Sequence, residues 1–193
     1  MSRELVSQIQ TLFNHVHVGE LVFRPLARSD AFPLFQAAAS TPEFNRYLLW
    51  PTPSTPEEVQ TQVDKLIREG IMERSASFSL SDKDTGAWKG LCVYKAYREG
   101  IEMSSYLSPK EWATGTIVLS GKCMIQSLMT QFNLPVYVRV RPGNQSMLKI
   151  CRYNQFFEEE GDSAVHPLEG QVPLQVFKLD PDRWPQFDGV QAY

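Results

Sequence analysis

The stretch "IEMSSYLSPKEWATGTIVLSGK", Ile101 to Lys122, decides how the chain is read. IEMSSYLS is predicted as a strand, and Pro109 then stops strand pairing. From about Thr116 to Asn133, Ile117, Leu119, Cys123, Met124, Leu128 and Met129 mark a mostly buried helix. KEWATG is therefore a turn from strand to helix. A helix start leaves several backbone N–H groups without an intrahelical partner. With the helix dipole, those groups hold a pyrophosphate without any lysine, provided that nearby side chains are small. Ala113, Thr114, Gly115 and Thr116 meet that requirement. A P-loop does not fit. It needs four residues between its glycines and Ser or Thr after its lysine. Here five residues separate Gly115 from Gly121, and Cys123 follows Lys122. The competing reading is the plain start of a buried helix.

Working outward, "SASFSLSD", "AWKGLCVYKAY" and "IEMSSYLS" are three runs joined by the turns "KDTG" and "REG", which predicts an antiparallel meander. Before them, "STPEEVQTQVDKLIREG" is the clearest helix. Thr55 is its cap, Pro56 its first residue, and Glu58 the partner in a capping box. Glu4 to His15 has helical spacing, "ELVFRPL" is a first strand, and "RSDAFPLFQAAAS" is a helix with Ser29 or Asp30 near its cap. After the central helix come a strand "LPVYVRVRP", a helix "NQSMLKICRYN", a short strand "FFEEEG" and a last strand "VPLQVFKLD". The order predicts one mixed α/β sheet, not two domains. The divisions expected are a helical extension over 1–18, one domain over 19–184 and a loosely packed tail over 185–193.

The 193 residues carry a net charge of -3 with no basic face, which argues against nucleic acid as a partner. Three scattered cysteines, Cys92, Cys123 and Cys151, suit buried thiols, and neither they nor His15, His17 and His166 have metal-ligand spacing. No apolar run reaches the roughly 18 residues of a membrane span. The opening MSRELVSQIQ lacks a signal peptide's apolar core. A cytoplasmic protein is expected.

Taken in order, several segments resemble the GNAT superfamily of N-acetyltransferases, within it the ribosomal-protein, Rim-type (RimJ/RimL-like) branch. They are "LVFRPLARSDAFPLFQ", "YLLWPTPSTPEEVQ", "DKDTGAWKGLCVY", "IEMSSYLSPKEWATG", "VYVRVRPGNQSMLKICRYNQF" and "VFKLDPDRW". The resemblance runs from about Leu21 to Trp184. It implies a single α/β (α+β) domain with a mixed, mostly antiparallel twisted sheet whose central strands splay. It implies acetyl-CoA as cosubstrate, with pantetheine in the gap beside Tyr106, Leu107 and Ser108. The pyrophosphate would lie on Trp112, Ala113, Thr114, Gly115 and Thr116, with a further contact at Asn144. No metal is implied. The acceptor is a primary amine, either a protein N-terminus, possibly ribosomal, or a small amine. It attacks the thioester directly, so a base or water chain must take its proton.

Glu102 matches the family's acidic residue on the central strand, a candidate to orient or deprotonate the amine; the alternative is a solvated strand carboxylate. Trp50, followed by Pro51 and Pro53, is a candidate for the acceptor pocket or for loop packing. Asn144 also suits a helix cap. With Asn144 aligned, Met147 stands where the family has Ser, and Cys151 where a Tyr often protonates the leaving thiolate. Ser146 or Tyr153 would substitute only with a shift of the helix. Ala113 replaces a common glycine, Ile117 the last small residue of the loop, Ser104 a strand glycine, and Gln155 the glycine before Phe156. Two readings follow: an N-acetyltransferase, or a non-catalytic GNAT-fold protein that binds CoA or a protein partner. Either a monomer or a homodimer is compatible with both.

Overall fold

The computed structural model describes residues 3–183, apart from the side chains of Ile117 and Leu119. Trp184 and the tail expected over 185–193 lie outside the described residues. Eight strands form one sheet. They are β1 (Val16–Val18), β2 (Leu21–Pro25), β3 (Ser75–Asp82), β4 (Trp88–Tyr97), β5 (Gly100–Leu107), β6 (Val136–Val140), β7 (Phe157–His166) and β8 (Gly170–Leu179). Their order in space is β1-β2-β3-β4-β5-β6-β8-β7. All neighbours are antiparallel except β5 and β6, which run parallel. The helices are α1 (Arg3–Leu12), α2 (Ala31–Ser40), α3 (Pro42–Asn45), α4 (Pro56–Ile71), α5 (Thr116–Phe132) and α6 (Gln145–Tyr153).

Period-two alternation divides the sheet's two faces. In β3, Ala76, Phe78 and Leu80 enter the main core, and Ser75, Ser79 and Ser81 turn to the other side. In β4, Cys92 and Tyr94 join the main core, whereas Leu91 and Val93 pack beneath α2 and α4. The main core also takes Leu5, Val6 and Ile9 of α1 and Met124, Ile125 and Leu128 of α5. Phe13 sits at its centre, its ring centroid 5.4 Å from Tyr94 and 5.8 Å from Phe78. Residues 3–18 thus share the core and the sheet of the rest of the chain.

Three local expectations are corrected. The polar segment after α6 is a ten-residue edge strand, because β8 supplies a full ladder to residues that the core does not select. A bulge between Glu159 and Asp162 breaks its register. The three-residue β1 has too few side chains to leave a sequence pattern. At α4, Glu58 N–H donates to Thr55 Oγ1 as expected, but the Glu58 carboxylate accepts from Ser54 N at 2.6 Å, one residue before the cap. Asp30 is the N-cap residue of α2, yet its buried carboxylate serves tertiary structure instead. It accepts from Arg24, Ala27 N and Ser79 Oγ.

Candidate functional site

The site grows out of the one parallel pair. β5 and β6 are in register only at Ile101↔Val136 and Glu102↔Tyr137. Beyond Glu102, β5 continues to Leu107 bonded to β4 alone, and β6 continues to Val140 bonded to β8. The two strands diverge, and a cavity of about 620 Å³ fills the splay. Ile125 of α5 and Ile150 and Cys151 of α6 wall it on one face of the sheet. Phe44, Tyr47 and Leu48, from the segment after α2, wall it on the other. The cavity therefore reaches both faces of the sheet at the gap between the strands.

Charge is concentrated at the narrow end. Glu102 is buried on the face of β5 opposite Ile101 and Met103. Arg139 donates from Nη2 to Glu102 Oε2 at 3.0 Å and from Nη1 to Asp162 Oδ2 at 3.1 Å. Its guanidinium lies 4.9 Å from the centre of the Tyr97 ring. Burial alone would loosen Arg139's hold on its proton, but the Glu102 and Asp162 carboxylates outweigh it and Arg139 stays charged. Farther along β6, Arg141 donates to the Leu48 carbonyl at 3.2 Å and forks onto Glu169 at 3.1 and 2.6 Å. Tyr47 Oη donates to Gly143 O at 2.8 Å, so the segment over the cavity is tied to the end of β6.

The turn into α5 forms the other end. Pro109–Glu111 make one 3-10 turn, and α5 opens at Gly115, which has φ 85°. Ala113 is also left-handed, at φ 61°, where a Cβ is strained. The Trp112 indole donates to Leu107 O at 3.2 Å and holds the turn against the end of β5. Ser108 N–H is already spent on Lys89 O at 2.9 Å.

Residues 20–156 match the family model described as the acetyltransferase (GNAT) domain. The chain belongs to the GNAT acetyltransferase family. No curated protein matches its sequence. Solved structures do resemble its fold. A RimL ribosomal L7/L12 alpha-N-protein acetyltransferase in complex with coenzyme A superposes with TM-score 0.69 at 14% identity, covering 87% of this chain and 97% of that one. The acetyltransferase from Salmonella typhimurium that modifies the N-terminal serine of L7/L12 gives TM-score 0.70 at 14% identity, covering 84% and 95%. A ribosomal-protein-S5-alanine acetyltransferase from Vibrio fischeri gives 0.66 at 16%, covering 88% and 97%.

Within this GNAT domain the residues singled out from sequence fall into three places. Glu102, Tyr106, Leu107, Trp112, Ala113, Asn144, Ser146 and Cys151 all border the cavity. Ser108, Thr114, Gly115 and Thr116 lie in the adjoining segment 108–116 that leads into α5. Trp50 stacks on Tyr106, centroids 4.7 Å apart, and lines a second cavity of about 460 Å³. Asn144 caps α6, its Oδ1 accepting from Met147 N at 3.2 Å. Ser146 is exposed on the first turn of α6, and Tyr153 is 71% exposed, with the Lys122 ammonium 5.5 Å from its ring centre. Cys151 is buried, and burial pushes its thiol up to about 12, a value unsuited both to nucleophilic attack and to giving up a proton at neutral pH. Cys92 is buried and Cys123 half-buried. Among the described residues no group of three His, Cys, Asp or Glu side chains is placed to hold a metal, and no helix is long and apolar enough to cross a membrane.

Arg139, Glu111 and Tyr47 were not anticipated as parts of the site. For Arg139 a signal existed. In VYVRV, period two places Val136, Val138 and Val140 in the main core and Tyr137 and Arg139 on the opposite face. Tyr47 left none, because its partner Gly143 is 96 residues away, and Glu111 left none for its pairing with Lys89, 22 residues away.

Proposed function

We propose that this chain transfers an acetyl group from acetyl-CoA to a primary amine, either a protein N-terminus or a small amine. The observation that carries the reading is the splay of β5 from β6 beyond Glu102, open as one cavity from the α5 turn to the segment over Glu102. CoA would enter from the α5 and α6 face. Its pantetheine would pair with the β5 backbone near Tyr106 and Leu107, and its pyrophosphate would meet the backbone N–H groups from Ala113 to Thr116. The acceptor would enter past Phe44, Tyr47 and Leu48. The solved RimL structure that holds coenzyme A, and the fold relatives that modify ribosomal proteins, support CoA as cosubstrate and favour a protein N-terminus as acceptor.

The chain's own groups fit the attack unevenly. Glu102 is a carboxylate at the gap, oriented by Arg139, and would accept the amine's proton directly or through water. The amine nitrogen would then form its bond to the thioester carbon, the C–S bond would break, and the thiolate would need a proton. Cys151 is a poor source for it; Ser146, on the first turn of α6, or solvent would serve. The buried thiol at the position where the family often has a tyrosine also favours a second reading, a GNAT domain that binds CoA without turnover. Purified protein incubated with acetyl-CoA and a pool of peptides with free N-termini separates them. Repeated release of free CoA thiol with matching acetylated peptide supports the enzyme. Binding of CoA without any thiol release above the peptide-free rate supports the second reading.

A further inference from the structure

The pyrophosphate end of the cavity already contains an anion. Glu111 is part-buried beside the start of α5 and borders the cavity. Its Oε2 accepts from Thr116 Oγ1 at 3.0 Å, and its Oε1 accepts from Lys89 Nζ at 3.2 Å. Thr116 is the first residue of α5, and its hydroxyl lies 2.8 Å from Thr114 Oγ1. Lys89 also lies 3.5 Å from Asp82. The carboxylate thus draws on a hydroxyl at the first residue of α5 and on an ammonium, both donors that would serve a phosphate oxygen at that helix start. Both anions cannot use them at once without close like-charge contact.

We propose that Glu111 is an internal competitor for the pyrophosphate seat and sets the protein's affinity for CoA. In the free protein its carboxylate accepts from the Thr116 hydroxyl and from Lys89. On binding, the CoA pyrophosphate must displace it from Thr116 and Lys89. Ligands that carry the pantetheine arm without phosphate never meet it. Burial alone would lower the Lys89 pKa; the Glu111 and Asp82 carboxylates outweigh that, so Lys89 remains a cation free to change partners when Glu111 leaves. The inference rests on the CoA reading above.

The test is calorimetric titration of CoA and of pantetheine into the full chain and into Glu111→Gln, which keeps size and hydrogen bonding but removes the charge. Glu111→Gln is expected to bind CoA about tenfold tighter or more, the scale set by removing one charge beside a phosphate group at a partly solvated site. Its affinity for pantetheine is expected to stay at the wild-type value. Glu111→Ala, which removes the carboxylate altogether, provides a second variant should the first not fold. It is expected to bind CoA tighter than the wild type and leave pantetheine unchanged. CoA affinity that is equal or weaker in Glu111→Gln overturns the role of Glu111 while leaving the CoA reading intact. An equal gain for pantetheine also overturns it, since a general loosening of the turn would then be the cause. If neither ligand binds either protein at millimolar concentration, the CoA reading itself falls, and this inference with it.

Discussion

Arg139 Nη2 stands 3.0 Å from the Glu102 carboxylate at the point where β5 and β6 part. The pair fixes the acidic group at the gap and leaves Arg139 shared with Asp162 on the edge strand. Two consequences separate its roles. Glu102→Gln should lower kcat by about a hundredfold or more while CoA affinity holds, because general-base groups contribute on that scale. Steady-state kinetics on the reactive amine and calorimetry on CoA measure the two arms.

Arg139→Met should act on stability instead. It would leave Glu102 buried without its cation, and breaking a buried pair on one side costs about 3 kcal/mol or more. Urea unfolding of Arg139→Met and of the double variant with Glu102→Gln checks this. The double variant should recover most of the loss, since no buried unpaired charge then remains; Asp162, which also loses Arg139, is partly exposed and keeps its hydrogen bond from Tyr97.

The turn before α5 and the turn after α6 carry strain that can be removed. Ala113 has φ 61° and Gln155 φ 57°, both at positions where the family resemblance places glycine. Each costs about 1 kcal/mol relative to a residue without Cβ. Ala113→Gly and Gln155→Gly should each raise the melting temperature by about 2–4 °C for a chain of this size. Differential scanning calorimetry decides. A lower melting temperature in either would mean that its side chain makes compensating contacts.

Gly121 offers the reverse case. It lies inside α5 on the cavity wall, and a Cβ built there meets nothing within 4 Å. Packing does not require the glycine, and it costs about 1 kcal/mol of helix stability relative to Ala. Clearance for a ligand would account for it. Gly121→Ala should melt higher, and Gly121→Leu should lose CoA affinity without losing fold, as read by calorimetry and circular dichroism.

Acid stability follows from two carboxylates, one half-buried and one exposed. Hydrogen bonds from Thr85 N–H and its hydroxyl, with Lys89 nearby, hold Asp82 at about 2 against an ordinary 3.8. Hydrogen bonds from Lys178 and Tyr137 hold Glu99 at about 2 against 4.5. Both folded values are depressed. Their contribution is therefore present above the ordinary values and is lost as pH falls through about 2. The melting temperature should be flat from neutrality to about pH 5, then fall toward pH 2. Asp82→Asn combined with Glu99→Gln should make that fall shallower.

Elements with their own punctuation were legible in the sequence. Pro109 and Gly115 bracket the turn into α5, and the serine alternation of SASFSLSD announces β3. The length of β7 was not, because FEEEGDSAVH is an exposed edge strand specified by its partner β8. The candidate site was legible as a set of positions, since Glu102, Trp112, Ala113 and Asn144 meet one cavity. Its electrostatics were not. The Arg139–Glu102 pair joins residues 37 apart and the Lys89–Glu111 pair joins residues 22 apart, and neither has a local pattern.

The most direct measurement is titration of acetyl-CoA into the full chain and into Gly115→Glu, whose side chain would enter the open space at the α5 start. One-to-one binding at micromolar strength or tighter in the wild type, abolished in Gly115→Glu with the fold intact by circular dichroism, is the expected result. No binding at millimolar acetyl-CoA, or binding that Gly115→Glu leaves unchanged, would contradict it.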